Sequence, residues 1–313
     1  MSIERLRTKL TNGFINCHAH IDRAGTIKYT DQAYITKNLE QKWDLVNTVK
    51  SKLTEEQYYD GIYLACLSQK RHNVRKLISF IDLDSTVGTK ALNAAVMAKE
   101  ELSKIGFELY IGNQTVGGFT QQNLKLFEDN VEHLDFLGGL PKSDKDPNRH
   151  LDILFSTAKS TGKKVHVHVD QLNTSEEQET EWLALRTIQH GLQDKVVAVH
   201  SISLACHRKD YRHYVYEICK DAGLQFVSCP SAWIDHQRSE RLSPTHNSLT
   251  PIDEMLEWGL TVGIGTDNIE DIYKPYCNGD MMFELRLVLE AYKIYNDRVL
   301  IDLAYNNGQK ILH

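Results

Sequence analysis

Short apolar runs alternate with longer amphipathic segments along most of the chain. Eight of the short runs have the length of buried β-strands. They cover Gly13–Asn16, Lys76–Ile81, Glu108–Gly112, Phe136–Leu140, Lys164–Val169, Val196–Val199, Leu224–Ser228 and Leu260–Gly265. Between them, apolar residues recur at three- and four-residue spacing, which predicts amphipathic helices. The predicted helices cover Gln57–Lys70, Lys90–Ile105, Glu176–Gly191, Tyr211–Ala222, Ile252–Trp258 and Met281–Ile294. Thr174 and Glu177 have the spacing of a capping box at the start of the third helix.

This alternation predicts a parallel sheet with crossover helices. Eight strand–helix units in 313 residues indicate an α/β fold of the (β/α)8 TIM-barrel type, and a doubly wound open sheet is the alternative. No G-x-G-x-x-G motif follows a predicted strand, which disfavours dinucleotide binding. Neither a repeat nor a Pro/Gly/Ser-rich linker divides the chain, so we expect residues 1–313 to form one barrel domain. The long irregular segment Pro230–Pro251 follows the seventh strand and is expected to cover the site as a lid.

The composition narrows the function classes. Hydrophobic residues make up 41% and charged residues 25%, as in an ordinary globular protein, and the net charge of −6 provides no basic surface for nucleic acid. No apolar run approaches the ~18 residues of a membrane span, and the first ten residues lack the apolar core of a signal peptide. The six cysteines contain no C-x-x-C pair, which fits free thiols in the cytoplasm. A homo-oligomer is compatible with this composition.

Side chains able to bind a metal cluster where the predicted strands end. In strands 1 and 5 the histidines alternate with other residues, which points them to one face. In a (β/α)8 barrel the carboxyl ends of the strands carry the functional groups. Three neutral imidazoles and a carboxylate suit one divalent metal, Zn²⁺ or Fe²⁺, with a position left for water. The candidates are His18, His20, His168, His200 and Asp267.

Seven short motifs from about Gly13 to the C-terminus carry a family resemblance. They are His18-x-His20-x-Asp22, Ile81-Asp82-Leu83, Gln114 after the third strand, His168-x-Asp170, His200-Ser201, Cys229-Pro230-Ser231 and Gly265-Thr266-Asp267-Asn268-Ile269. Together they resemble the amidohydrolase superfamily, and within it the cytosine deaminase-like branch. The resemblance implies that His18, His20, His168 and Asp267 bind the metal. It also implies that Asp267 accepts the proton of the metal-bound water, that His200 lies beside the leaving group, and that Gln114 contacts the substrate.

The chain departs from the cytosine deaminase pattern at three points. Gln171 stands at the catalytic position of a proton-shuttling glutamate, and an amide cannot act as an acid or a base. Asn268 stands where an aspartate usually follows the metal-binding aspartate. With Tyr273, which follows strand 8, Asn268 is expected to contact the substrate. Relatives also carry a small β-sandwich built from both termini, which this sequence is expected to lack.

The resemblance and these departures favour a metal-dependent hydrolase that deaminates a small nitrogen heterocycle or hydrolyses its amide bond. The alternative is a homologue that keeps the metal but has altered catalysis and acts as a ligand-binding or regulatory protein. A third hypothesis is phosphoester or lactone hydrolysis at two metals bridged by Lys142. Arg23 and Lys142 could instead meet an anionic substrate group, or be solvated charges on the barrel rim.

Overall fold

The computed structural model describes residues 3–35, 37, 39–232 and 248–313. Eight β-strands lie in these ranges, each within a few residues of a predicted strand. They are β1 (Phe14–Ala19), β2 (Val74–Asp82), β3 (Glu108–Gln114), β4 (Leu137–Gly139), β5 (Val165–Val169), β6 (Val196–His200), β7 (Gln225–Ser228) and β8 (Val262–Ile264). The strand predictions are therefore confirmed.

All strand pairings are parallel and follow chain order. One sheet contains β1-β2-β3 and the other β4-β5-β6-β7-β8. Two isolated parallel bridges connect the edges of these sheets: Gly112 pairs with Phe136, and Ala19 pairs with Asp267. Parallel sheets with intervening helices fit the predicted TIM-barrel arrangement. Gly138 allows β3 and β4 to approach, because a Cβ there would lie 1.9 Å from the backbone oxygen of Asn113.

The helices of the described ranges include all six predicted ones and several that the pattern did not indicate. They are α1 (Ile3–Lys9), α2 (Leu39–Lys52), α3 (Glu55–Arg71), α4 (Lys90–Lys104), α5 (Gln121–Asn130), α6 (Pro147–Thr161), α7 (Glu179–His190), α8 (Lys209–Asp221), α9 (Ile252–Glu257), α10 (Met281–Tyr292), α11 (Asp297–Ile301) and α12 (Asn307–Leu312). Across the described part of the chain, no helix combines the length and apolar character that a membrane crossing requires.

The predicted capping box at Thr174 and Glu177 is wrong. The helix α7 begins only at Glu179, and its preceding residue makes no side-chain cap. The Glu177 carboxylate instead accepts hydrogen bonds from the backbone of Leu172 and the hydroxyl of Ser203, at 2.9 and 2.8 Å. Tertiary partners thus take the carboxylate that a local cap would have used.

The core has two main layers around the strands. The larger cluster packs one strand face against the helices and includes Val165, Val167 and Val169 of β5. A smaller cluster on the other face includes Ile15 and Cys17. The β5 histidines alternate with the three valines, so they lie on the face away from the helices.

Candidate metal centre and active site

Four of the predicted metal ligands converge in the structure. Asp267 Oδ1 lies 3.2 Å from His18 Nε2 and 3.3 Å from His20 Nε2, and His20 Nε2 lies 3.3 Å from His168 Nε2. All four side chains are buried. They come from the ends of β1 and β8 and from β5, which are distant in sequence. The end of β8 reaches β1 because Gly265 has no side chain: a Cβ there would lie 2.8 Å from the His18 backbone.

These three distances match the spacing of neighbouring ligand atoms around a divalent metal. Four ligands arranged tetrahedrally at metal bonds of about 2.0–2.1 Å lie about 3.3–3.4 Å from one another. The His168 Nδ1 atom lies 3.0 Å from the backbone oxygen of Gly139, which fixes the proton on Nδ1 and leaves the Nε2 lone pair facing the cluster. The donor set therefore fits one small divalent ion.

The electrostatics of the cluster favour neutral His20 and His168 and an ionised Asp267. Burial, assisted by the charge of Arg23, lowers the pKa of His20 to about 3. Burial also holds the pKa of His168 well below its ordinary value. Burial alone would raise the pKa of Asp267, but its contacts with His18 and His20 bring that pKa well below the usual range. Neutral imidazoles and a carboxylate are the forms in which these residues bind metal.

His200 joins this cluster at the end of β6. Together with His18 and Asp267 it forms a second group whose nitrogen and oxygen atoms lie within 4.8 Å of one another. Its ring centroid is 5.3 Å from that of His18, and burial lowers its pKa to about 4. His200 is therefore a neutral imidazole beside the candidate metal ligands.

Backbone strain is concentrated at these strand ends. Four residues without glycine's freedom have a left-handed backbone there: Asp170 (φ 51°), His200 (φ 82°), Ser201 (φ 52°) and Asp267 (φ 61°). Such conformations cost of order 1 kcal/mol or more and persist where the surrounding structure enforces them. The side chains of His200 and Asp267 join the cluster, whereas those of Asp170 and Ser201 contact Thr180 in the first turn of α7.

A small pocket opens onto the cluster. Its lining includes the four residues that the sequence analysis expected near the substrate, namely Gln114, Gln171, Asn268 and Tyr273. Within the described residues its free volume is about 20 Å³, which holds a water molecule or two rather than a heterocycle. Besides the metal candidates His20, His168 and Asp267, the lining residues are Arg23, Leu39, Trp43, Gln114, Leu140, Gln171, His200, Asn268 and Tyr273. The pocket is therefore nearly filled by its own lining residues in this structure.

The cover of this pocket was not anticipated. Leu39 and Trp43 belong to α2, and they pack with Ile272 and Tyr273 in a separate apolar cluster. Most of the predicted lid, residues 233–247 with Trp233 among them, lies outside the described residues. The helix α2 is not among the helices that the sequence pattern predicted.

Two hypotheses for Lys142, metal bridging and anion binding, can be compared directly with the structure. Lys142 forms an ion pair with Glu177 and is not among the residues lining the pocket. This arrangement favours neither a bridging lysine nor an anion-binding one. Lys50 of α2, for which the sequence analysis made no prediction, is buried against Asp82, and its Nζ atom lies 2.6 Å from the carboxylate.

The chain is similar in sequence to several known proteins. No family model matches the chain. It is 41% identical over 250 residues to an uncharacterised protein of Haemophilus influenzae, a match covering 78% of this chain and 90% of that protein. It is 25% identical over 285 residues to the N-isopropylammelide isopropyl amidohydrolase of Pseudomonas sp., covering 86% of this chain and 66% of that enzyme. The chain thus spans just under two thirds of this named relative.

Solved structures show the same fold. The 5-methylcytosine deaminase of Klebsiella pneumoniae liganded with 5-fluorocytosine superposes with a TM-score of 0.85 at 20% identity, over 96% of this chain and 74% of that one. An atrazine chlorohydrolase of Arthrobacter aurescens complexed with zinc gives 0.67 at 16% identity, over 96% and 70%. At these identities the similarity establishes the α/β fold.

Proposed function

We infer that the chain belongs to the amidohydrolase superfamily, as its named relatives do, and we propose that it is a metal-dependent hydrolase of a C–N bond in a small nitrogen heterocycle. The reaction is a deamination or an amide hydrolysis. The observation that carries the proposal is the convergence of His18, His20, His168 and Asp267 at metal-ligand spacing. The alternative of a binding or regulatory protein gains no support, since the named relatives are enzymes.

We also propose that the two sheets form one closed barrel and that residues 1–313 are a single domain. The bridges from Gly112 to Phe136 and from Ala19 to Asp267 support closure, because an open doubly wound sheet would leave two edges apart. All six cysteines are free thiols, which supports the further proposal of a cytoplasmic location.

The roles of the residues follow from their positions. His18, His20, His168 and Asp267 would hold one Zn²⁺ or Fe²⁺, which when bound lowers the pKa of a coordinated water to about 7. Asp267, the ionised carboxylate of the cluster, would also accept the proton of that water. His200, neutral and adjacent, would orient the reacting group.

Three further pocket residues would contact the substrate: Gln114, Asn268 and Tyr273. Gln171 also lines the pocket, and its amide nitrogen is buried without a partner. Because an amide cannot shuttle a proton, Gln171 would donate a hydrogen bond where a glutamate would protonate the ring. A substrate that needs little ring protonation, such as an activated ring or a cyclic amide, therefore suits this site.

Metal content and turnover test the proposal together. We expect one ion per chain in the wild-type protein, and loss of both metal and hydrolysis in His18→Ala and Asp267→Ala. The measurements are elemental analysis of the purified proteins and release of ammonia or amine from a panel of heterocycles. His133→Ala is the matched control, because His133 is a half-exposed histidine outside the pocket. Full metal occupancy in both site variants would contradict the assignment, and two ions per chain would favour a binuclear site.

A further inference from the structure

Arg23 brings a buried positive charge to the pocket. Arg23 lies three residues after His20 in the sequence and is only 4% exposed. Its Nη2 donates to Gln114 Oε1 at 3.1 Å, and its Nε is buried with no partner. Its guanidinium carbon lies 5.5 Å from the ring centroid of Tyr273. A buried guanidinium with unused donors is costly unless an acceptor completes it.

The nearby carboxylates of Asp22, Asp82 and Asp271 have polar partners other than Arg23. Asp22 Oδ2 accepts from the backbone of Asp82, while its Oδ1 is buried without a hydrogen bond. Asp82 pairs with Lys50 at 2.6 Å, and Asp271 accepts hydrogen bonds from the backbone of Tyr273 and Lys274. Across the described residues, none of the carboxylates lies within 4 Å of the Arg23 guanidinium nitrogens in an ion pair. These carboxylates act on Arg23 at longer range: burial alone would lower its pKa, but Asp82 and Asp22 hold that pKa above its ordinary value. Arg23 therefore stays charged without a direct anionic partner.

The amides of the pocket point the same way. Because arginine can only donate, its contact fixes Gln114 with Oε1 towards Arg23 and leaves the amide NH₂ as a donor. Gln171 likewise presents an unpartnered amide nitrogen to the pocket. Asn268 also lines the pocket, but its amide nitrogen donates to Asp271, so the unpartnered amide donor is that of Gln171. The pocket wall thus offers a cation and amide donors, and these complement oxygen atoms better than amino groups.

We propose that the pocket selects small nitrogen heterocycles that carry an anionic oxygen, which Arg23 binds together with Gln114. This specificity rests on the proposed function, since it assumes that the substrate lies in this pocket beside the metal ligands. The guanidinium fork suits either a carboxylate substituent or a deprotonated ring oxygen. A neutral ring would leave Arg23 without a direct anionic partner, and buried polar groups left unpaired discriminate strongly between analogues.

Equilibrium binding to the metal-bound protein tests this proposal without requiring turnover. The probes are uracil as the neutral ring, barbiturate as the ring with an anionic oxygen, and orotate as the ring with a carboxylate. Isothermal calorimetry should give a Kd for at least one anionic probe that is about tenfold or more below that of uracil. Arg23→Gln should raise that Kd by about tenfold or more and change the uracil Kd little. Arg23→Lys, which keeps the charge but loses the fork, should fall between.

The control Lys28→Gln removes one positive charge from an exposed position of the same segment, outside the pocket. It should bind all probes as the wild type does. The identity of the tighter anionic probe distinguishes a ring oxygen from a carboxylate. If Arg23→Gln fails to fold, the wild-type preference and Arg23→Lys carry the test. Equal wild-type binding of all three probes, no binding of either anion, or equal weakening of all probes by Arg23→Gln would overturn the proposal. Anion preference without turnover of any heterocycle would count against the proposed function alone.

Discussion

The ion pair between Lys50 and Asp82 gives a sharp stability prediction. Lys50 Nζ lies 2.6 Å from Asp82 Oδ2 and 3.5 Å from Asp84 Oδ2, and the Lys50 and Asp82 side chains are 1% and 0% exposed. Replacing Lys50 with methionine keeps most of the aliphatic volume but leaves Asp82 buried without its cation. We expect Lys50→Met to lower the free energy of unfolding by about 3–5 kcal/mol at pH 7, the range for a buried pair that loses one partner.

The pH dependence of this loss follows from the carboxylate. Burial alone would raise the pKa of Asp82, but Lys50 and Arg23 lower it to about 2. The wild type therefore gains this stability above the ordinary pKa of 3.8 and loses it as the pH falls through about 2. Without Lys50, burial should raise the pKa of Asp82, so that the variant loses stability as the pH rises. The difference between the two proteins should then shrink from pH 7 towards pH 4.

Urea denaturation at pH 7 and pH 4 measures both effects. Lys50→Met/Asp82→Asn should be less destabilised than Lys50→Met, because the second change removes the unpaired charge. Lys125→Met is the matched control, since Lys125 and Asp129 form an ion pair at 2.8 Å with side chains 76% and 55% exposed. It should cost no measurable stability. A loss in Lys50→Met no larger than in Lys125→Met, or a loss independent of pH, would refute the reasoning.

Two further predictions concern the strand 5 end of the site. Gln171→Glu should raise the rate of cytosine deamination from a low baseline by up to ~10²–10⁴-fold in a steady-state ammonia assay. Efficient cytosine turnover by the wild type would contradict the inference that Gln171 prevents this reaction. Burial, together with the charge of Glu177, raises the pKa of Glu179 from its ordinary value of 4.5 to about 7. The protonated Glu179 therefore stabilises the fold fully below pH 4.5, and this stability is lost as the pH rises through about 7. Denaturation from pH 5 to 8 should show a decline that is smaller in Glu179→Gln by about 1–3 kcal/mol, and an equal decline in both proteins would exclude this origin.

The strands and the clustering of the candidate metal ligands could be predicted because periodic patterns carry them. The β5 strand alternates His166 and His168 with valines, and this two-residue period specifies both the strand and the shared face of its histidines. The order of the motifs then placed His18, His200 and Asp267 at strand ends, where the structure brings their side chains together.

The cover of the pocket could not be predicted in the same way. Lys42 and Lys50 in α2 look like solvated charges in the sequence, yet both side chains are 1% exposed. Their burial depends on Asp82 and Tyr273, which are distant in the chain, so no local period indicates it. The capping box failed for a related reason: Glu177 found tertiary partners that its local spacing could not reveal.

The helix α2 also links the stability of the fold to access to the pocket. Lys50 fixes its last turn to β2 through a buried ion pair, whereas Leu39 and Trp43 hold its first turns over the pocket through apolar contacts. Leu39 and Lys50 are eleven residues apart, which corresponds to about 16 Å along the helix at 1.5 Å per residue. The pocket's present volume of about 20 Å³ does not admit a heterocycle, so the cover must shift for a ring to bind. Apolar contacts are non-directional and can re-form after sliding, while a buried ion pair cannot separate without exposing or stranding its charges. The first turns of α2 are therefore the end that we expect to yield, with the Lys50 end as the fixed point.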